Sequence, residues 1–245
     1  MLFLKLLLIF HILGYFYFQK DRTSLVKKEK KLLLTLSILM YAIAFIPLFW
    51  ISNNIVLVIV TILSLSFVYY IFDLIGSKIN NLEKEKRIFF INQIVHILFV
   101  VAFWLMLKDT FTGMDAVNSF FLQNDIQISV EKIISIILIL LIIIKPAALI
   151  VEKCLPKQSS DETESTSEKE KSESNVNYGG IIGVLERVTI ALLAILNLWS
   201  SIALVLTAKS IARFKQLEDK NFAQKYLIGT LLSLIITLLT ILLFL

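Results

Sequence analysis

Seven runs of apolar residues, each about as long as a bilayer is thick, leave this chain little choice of fold. A hydrocarbon core takes about 20 consecutive apolar residues per helical span. The runs at 2–18, 32–51, 55–75, 88–107, 133–151, 188–208 and 226–245 all come near that length. Hydrophobic residues make up 58% of the chain and mean hydropathy is +0.83, far above the balance of a soluble domain. The expected fold class is all-α: a polytopic transmembrane helical bundle of six or seven spans, seven preferred, in the cytoplasmic (inner) membrane. The expected organisation is five apolar segments in 1–151, an acidic low-complexity linker in 152–178, and a helical pair with an amphipathic connector in 179–245.

The net charge of +5 does not point to nucleic acid, because the basic residues sit in loops beside the spans. Anionic lipid and the positive-inside bias account for them there. The lone cysteine, Cys154, has no intrachain disulfide partner. The first segment carries only Lys5 before its apolar run and no small-x-small cleavage site after it, so it is expected to be a retained span.

Loop charge sets the orientation. Residues 19–31 and 78–87 are rich in lysine and arginine and are expected inside; the uncharged 52–54 turn and the acidic 108–132 loop are expected outside. The N-terminus is then outside. The second half poses a conflict. The linker run at 159–177 is too polar to bury a core and is expected to be disordered. If all seven segments cross, this linker is cytoplasmic but Lys209, Arg213, Lys215, Lys220 and Lys225 fall outside. A re-entrant fifth segment would put those basic residues inside. Against that, 133–151 holds fourteen Ile, Leu or Val residues, worth roughly −4 to −8 kcal/mol of insertion. Lys145 can snorkel, and Pro146 is expected to kink this helix.

Intramembrane polar residues are costly, and each is a candidate for function. His11, Tyr15 and Gln19 recur every fourth residue, on one helix face. Asn92 and His96 share a face of the fourth segment. Glu186 and Arg187 open the sixth, with Asn197 expected on Glu186's side three turns on. Lys209 and Arg213 begin a 209–225 stretch expected to form one amphipathic helix at the membrane interface. Glycines 179, 183 and 229 are expected at close helix contacts. Glu186 and Arg187 are expected to face protein or an aqueous cleft rather than acyl chains. Two histidines do not make a metal site. No nucleophile elbow, Walker loop or zincin helix is present, so no catalytic residue, metal or cofactor is assigned.

His11-Ile12-Leu13-Gly14-Tyr15-Phe16-Tyr17-Phe18-Gln19 resembles the H-x-L-[GA]-D-F-x-x-Q opening of a bacterial membrane family known only as a domain of unknown function. His96 is similar to the histidine of that family's fourth span. Gly179–Arg187, Ala208–Phe214 and Leu227–Thr230 resemble the tail of its longer members. Tyr15 stands where the motif has aspartate, so a role needing a carboxylate there is in doubt. The resemblance implies no activity. A small DNA-binding-like protein encoded near some members hints at a cytoplasmic partner.

Three functions remain open. The first is a non-enzymatic sensor or scaffold that contacts the lipid bilayer and a cytoplasmic protein. The second is a small transporter or channel with His11, His96 and Glu186 along a polar path. The third is an intramembrane enzyme on a lipid or isoprenoid substrate, with a histidine as base and Arg187, Lys209 or Arg213 on a phosphate.

Overall fold

The computed structural model describes residues 2–18, 27–51, 54–77, 82–108, 130–155 and 178–245, and they are helical. Gln19 and the 159–177 linker run lie outside them. Helix α1 (Leu2–Ile12) continues into a π-turn, Leu13–Tyr17. Next come α2 (Lys27–Ala44), the single turn α3 (Leu48–Ile51), α4 (Ile55–Ser77) and α5 (Leu82–Leu107). The rest are α6 (Val130–Ile144), α7 (Pro146–Cys154), α8 (Tyr178–Ile195), α9 (Trp199–Ala212), a 3-10 turn Phe214–Glu218, and α10 (Lys220–Phe244). Among the described residues, four stretches are long and apolar enough to cross a membrane: Ile55–Phe72, Lys86–Met106, Val130–Cys154 and Lys220–Phe244. Their flanks expose large side chains such as Leu63, Leu98, Leu231 and Leu242, which suits a hydrocarbon solvent. Several hydroxyls within the helices bond back to the preceding turn, as Thr61 does on the Leu57 carbonyl at 2.8 Å and Thr237 on that of Ser233 at 2.8 Å.

Local chemistry explains the ends. Asn54 Oδ1 accepts from the Leu57 N–H at 3.1 Å and starts α4, while Pro47 sits in the turn that ends α2. The expected kink lies at Lys145, where α6 stops and Pro146 opens α7. The chain divides within this same segment into two compact units, Met1–Leu141 and Ile142–Leu243. In the first unit α1 packs on α5 and α2, and α4 packs on both α2 and α5. Lys5 is anchored there by Glu131 at 3.1 Å and by the Ser135 hydroxyl at 2.8 Å.

Two expectations about the second unit are corrected. The 188–208 run is not one continuous helix, because the helix stops at Ile195 and restarts at Trp199. Asn197 adopts φ 60°, its N–H donates to the Ala194 carbonyl at 3.0 Å, and the Leu198 N–H donates to the Leu193 carbonyl at 2.8 Å. That pair of bonds around a left-handed residue is a Schellman stop, which asparagine tolerates better than most residues with a side chain. The chain turns back, α8 and α9 pack together, and Glu186 meets Lys209 at 2.5 Å. The two arms form a helical hairpin, so Asn197 is its tip rather than a neighbour of Glu186. The 209–225 stretch is likewise not one helix. It ends α9, passes through the 3-10 turn, and restarts where the Asp219 side chain caps α10 by accepting from the Asn221 N–H at 2.9 Å.

Candidate functional site

The first unit gathers the sequence's histidines in its core. His11 on α1 is 2% exposed and His96 on α5 is 0% exposed, with ring centroids 5.2 Å apart in a stacked pair. Tyr41 on α2 reaches His11 Nδ1 through its hydroxyl at 2.9 Å and stacks on Tyr69 of α4 with centroids 5.2 Å apart. His96 Nδ1 donates to the Asn92 carbonyl at 3.0 Å. Asn92 Nδ2 donates to the Tyr15 hydroxyl at 2.8 Å. The tyrosine at the resembled motif's aspartate position thus keeps an acceptor oxygen there.

The π-turn sets this geometry. The Phe18 N–H reaches back five residues to the Leu13 carbonyl at 3.0 Å, which alters the even four-residue spacing expected beyond Tyr15. Gly14 lets α2 come close: a Cβ there would lie 2.8 Å from Tyr41 Cδ2 and 3.1 Å from Ala44 Cβ. The aromatic walls of Tyr15, Tyr41, Tyr69 and Phe72 enclose the imidazoles. Nε2 of both histidines and Asn92 Oδ1 are buried without a hydrogen-bond partner among the described residues, and Gln93 approaches His11. Among the described residues no three histidine, cysteine, aspartate or glutamate side chains converge as for a metal. Tyr41 and Tyr69 escaped the sequence reading because a tyrosine in an apolar run reads as packing; the hydroxyl each carries into a buried setting was the available signal.

The second unit holds a cleft of about 400 Å³ among α7, α8, the end of α9 and the start of α10. Glu186, Arg187, Lys209 and Arg213 all line it, joined by Lys225, which had not been singled out as a site residue. Arg187 is 4% exposed, and its role there is structural. Its Nε donates to the Ile143 carbonyl at 2.6 Å, with longer contacts of 3.5 Å to the Ile144 carbonyl and the Ser233 hydroxyl. The last carbonyls of a helix have no intrahelical partner, and Pro146 brings no N–H to the next turn. The guanidinium supplies the donors that the proline kink removes. Gly183 leaves it room, since a Cβ there would sit 3.4 Å from the guanidinium; a Cβ at Gly229 would meet Leu155 at 3.7 Å. Glu186 and Lys209 pair with 17% of each side chain exposed. Arg213 and Lys209 lie over the Tyr226 ring, at 5.9 Å and 5.2 Å. Arg213 and Lys225 make no ion pair among the described residues.

The chain belongs to the DUF3307 family, described as proteins of unknown function, which it matches over residues 2–128. That stretch contains His11, Gly14, Tyr15, Tyr41, Asn92 and His96, and stops short of the cleft. No curated protein and no solved structure matches the chain.

Proposed function

We propose that this member of the family is a non-enzymatic sensor or scaffold, a multi-pass protein of the cytoplasmic membrane with its N-terminus outside. Its working surface is the cytoplasmic end of the second unit, where it meets a cytoplasmic protein partner. The α8–α9 hairpin carries this reading. A hairpin returns the chain to the side it left, so 209–225 lies on the same side as the linker. The segment across Val130–Cys154 can then cross fully, as its hydropathy favours, while the basic connector stays inside, as its charge favours. The hydropathy and charge criteria, opposed for a seven-span chain, agree once the sixth run is folded double. The sealed histidine pair fits a structural lock better than a transport path, because both rings are walled by aromatics.

Cys154 is the sole cysteine and is exposed, so it reports the linker side directly. In a Cys154→Ser background, Lys215→Cys and Asn54→Cys report the connector and the turn before α4. A membrane-impermeant maleimide should label positions 154 and 215 only in inverted vesicles and position 54 only in intact cells. Labelling of 154 and 215 from opposite sides would restore a single sixth span and sink the topology. For the scaffold role, a photo-crosslinker at position 215 should trap one protein partner in stoichiometric yield; recovery of the chain alone would reject it.

A further inference from the structure

We propose that the cleft of the second unit binds the phosphate headgroup of an anionic membrane lipid. This deepens the membrane-surface reading and rests on it only for the leaflet that supplies the lipid. Four basic side chains line the cleft, and they are not equivalent. Lys209 is neutralised by Glu186, whereas Arg187 is held by carbonyl dipoles and keeps its charge. Arg213 and Lys225 have no carboxylate partner among the described residues. The remaining acid in the lining is Glu152, which is exposed and has no ion-pair partner among the described residues, so the pocket keeps an excess of positive charge.

The polar groups suit a phosphate with several acceptor oxygens. Arg213 offers a planar fork and Lys225 a mobile ammonium. Thr230 Oγ1, also in the lining, is buried without a hydrogen-bond partner among the described residues. The first turn of the 18-residue α8, with Gly179 and Gly180 in the wall, adds the positive end of a helix dipole. Val151, Leu155 and Ile182 line the same cleft, which suits the glycerol and upper acyl carbons of a lipid better than a fully hydrated anion. Val151 and Glu152 come from the end of Val130–Cys154 and Lys225 and Tyr226 from the start of Lys220–Phe244, two stretches long enough to cross a membrane, whose ends suit the depth of headgroups.

The test uses the full chain in neutral detergent, with dioleoyl phosphatidic acid as probe and dioleoylglycerol as its phosphate-free counterpart, read by native mass spectrometry. Phosphatidic acid should be retained and dioleoylglycerol should not. Arg213→Gln with Lys225→Gln should weaken retention about thirty-fold, and each alone about fivefold. Lys215→Gln with Lys220→Gln removes the same charge from the same connector outside the cleft and should change retention less than about threefold. The single variants serve if the double variant does not fold. Equal loss in both double variants would mean diffuse attraction and overturn the site. So would equal retention of dioleoylglycerol, or displacement of the lipid by equimolar inorganic phosphate. Sidedness labelling is independent of this assay, so the topology can fail while lipid retention stands, and the reverse.

Discussion

Arg187 should matter to stability because Pro146 breaks the helix, and that dependence can be measured. Arg187→Met keeps much of the apolar stem but removes every donor from the Ile143 and Ile144 carbonyls. The Nε contact at 2.6 Å is a short charge-assisted hydrogen bond, whereas the two contacts at 3.5 Å are at the limit of useful geometry. One good charged bond is worth about 1.5–3 kcal/mol, and a buried carbonyl left without a donor costs about 1–3 kcal/mol. These figures overlap, because losing the bond is what orphans the carbonyl, so the expected cost is about 2–3 kcal/mol. Pro146→Ala restores an N–H and lets the 147 and 148 amides return to the Ile143 and Ile144 carbonyls in an unbroken helix. In that background Arg187→Met should cost about 1 kcal/mol or less, giving a coupling energy of about 1–3 kcal/mol. The assay is reversible unfolding of the four proteins in mixed micelles, followed by circular dichroism. Additive costs, with a coupling energy below about 0.5 kcal/mol, would refute the idea that the guanidinium serves the kink.

Three further outcomes test the rest of the fold. Gly14→Ala forces a methyl to within 2.8 Å of the Tyr41 ring and 3.3 Å of its Cα, and should destabilise the chain by about 1–3 kcal/mol in the same assay. Tyr15→Phe removes the acceptor for Asn92 Nδ2 and should cost about 1–3 kcal/mol; Tyr15→Phe combined with Asn92→Leu should recover part of that loss, since both polar partners are then gone. At the hairpin tip, Asn197→Gly should leave the melting point level or raise it, whereas Asn197→Val should cost about 1–2 kcal/mol, because φ 60° is hard for a β-branched residue. Equal melting points for those two variants would argue against the left-handed stop.

The apolar runs and the proline kink were legible because each depends on a short stretch of chain. A run of isoleucine and leucine declares its solvent, and Pro146 lacks its donor in any context. The hairpin was harder to see. Asn197 lies inside a run that is apolar on both sides, where an asparagine reads equally well as a hydrogen-bonding contact between helices. Its preference for left-handed backbone is modest, and it becomes decisive only when the two arms can pack and Glu186 can find Lys209, 23 residues away. The amphipathic pattern of 209–225 was real, but Asp219 as an N-cap competes with helix continuation and wins.

What the sequence determined by itself is the solvent and hence the backbone. Apolar segments of this length belong in hydrocarbon, and in hydrocarbon an open chain must satisfy its amides within a helix. What tertiary structure alone decided is which costly polar group meets which. His11 and His96 became a stacked pair because α1 packs on α5, and Gly14 lets α2 bring Tyr41 against His11. Arg187, adjacent in sequence to a carboxylate, instead donates to backbone carbonyls more than forty residues away, while that carboxylate takes Lys209. A polar side chain in an apolar medium takes the best partner that packing brings within about 3 Å, and sequence separation does not enter into that choice.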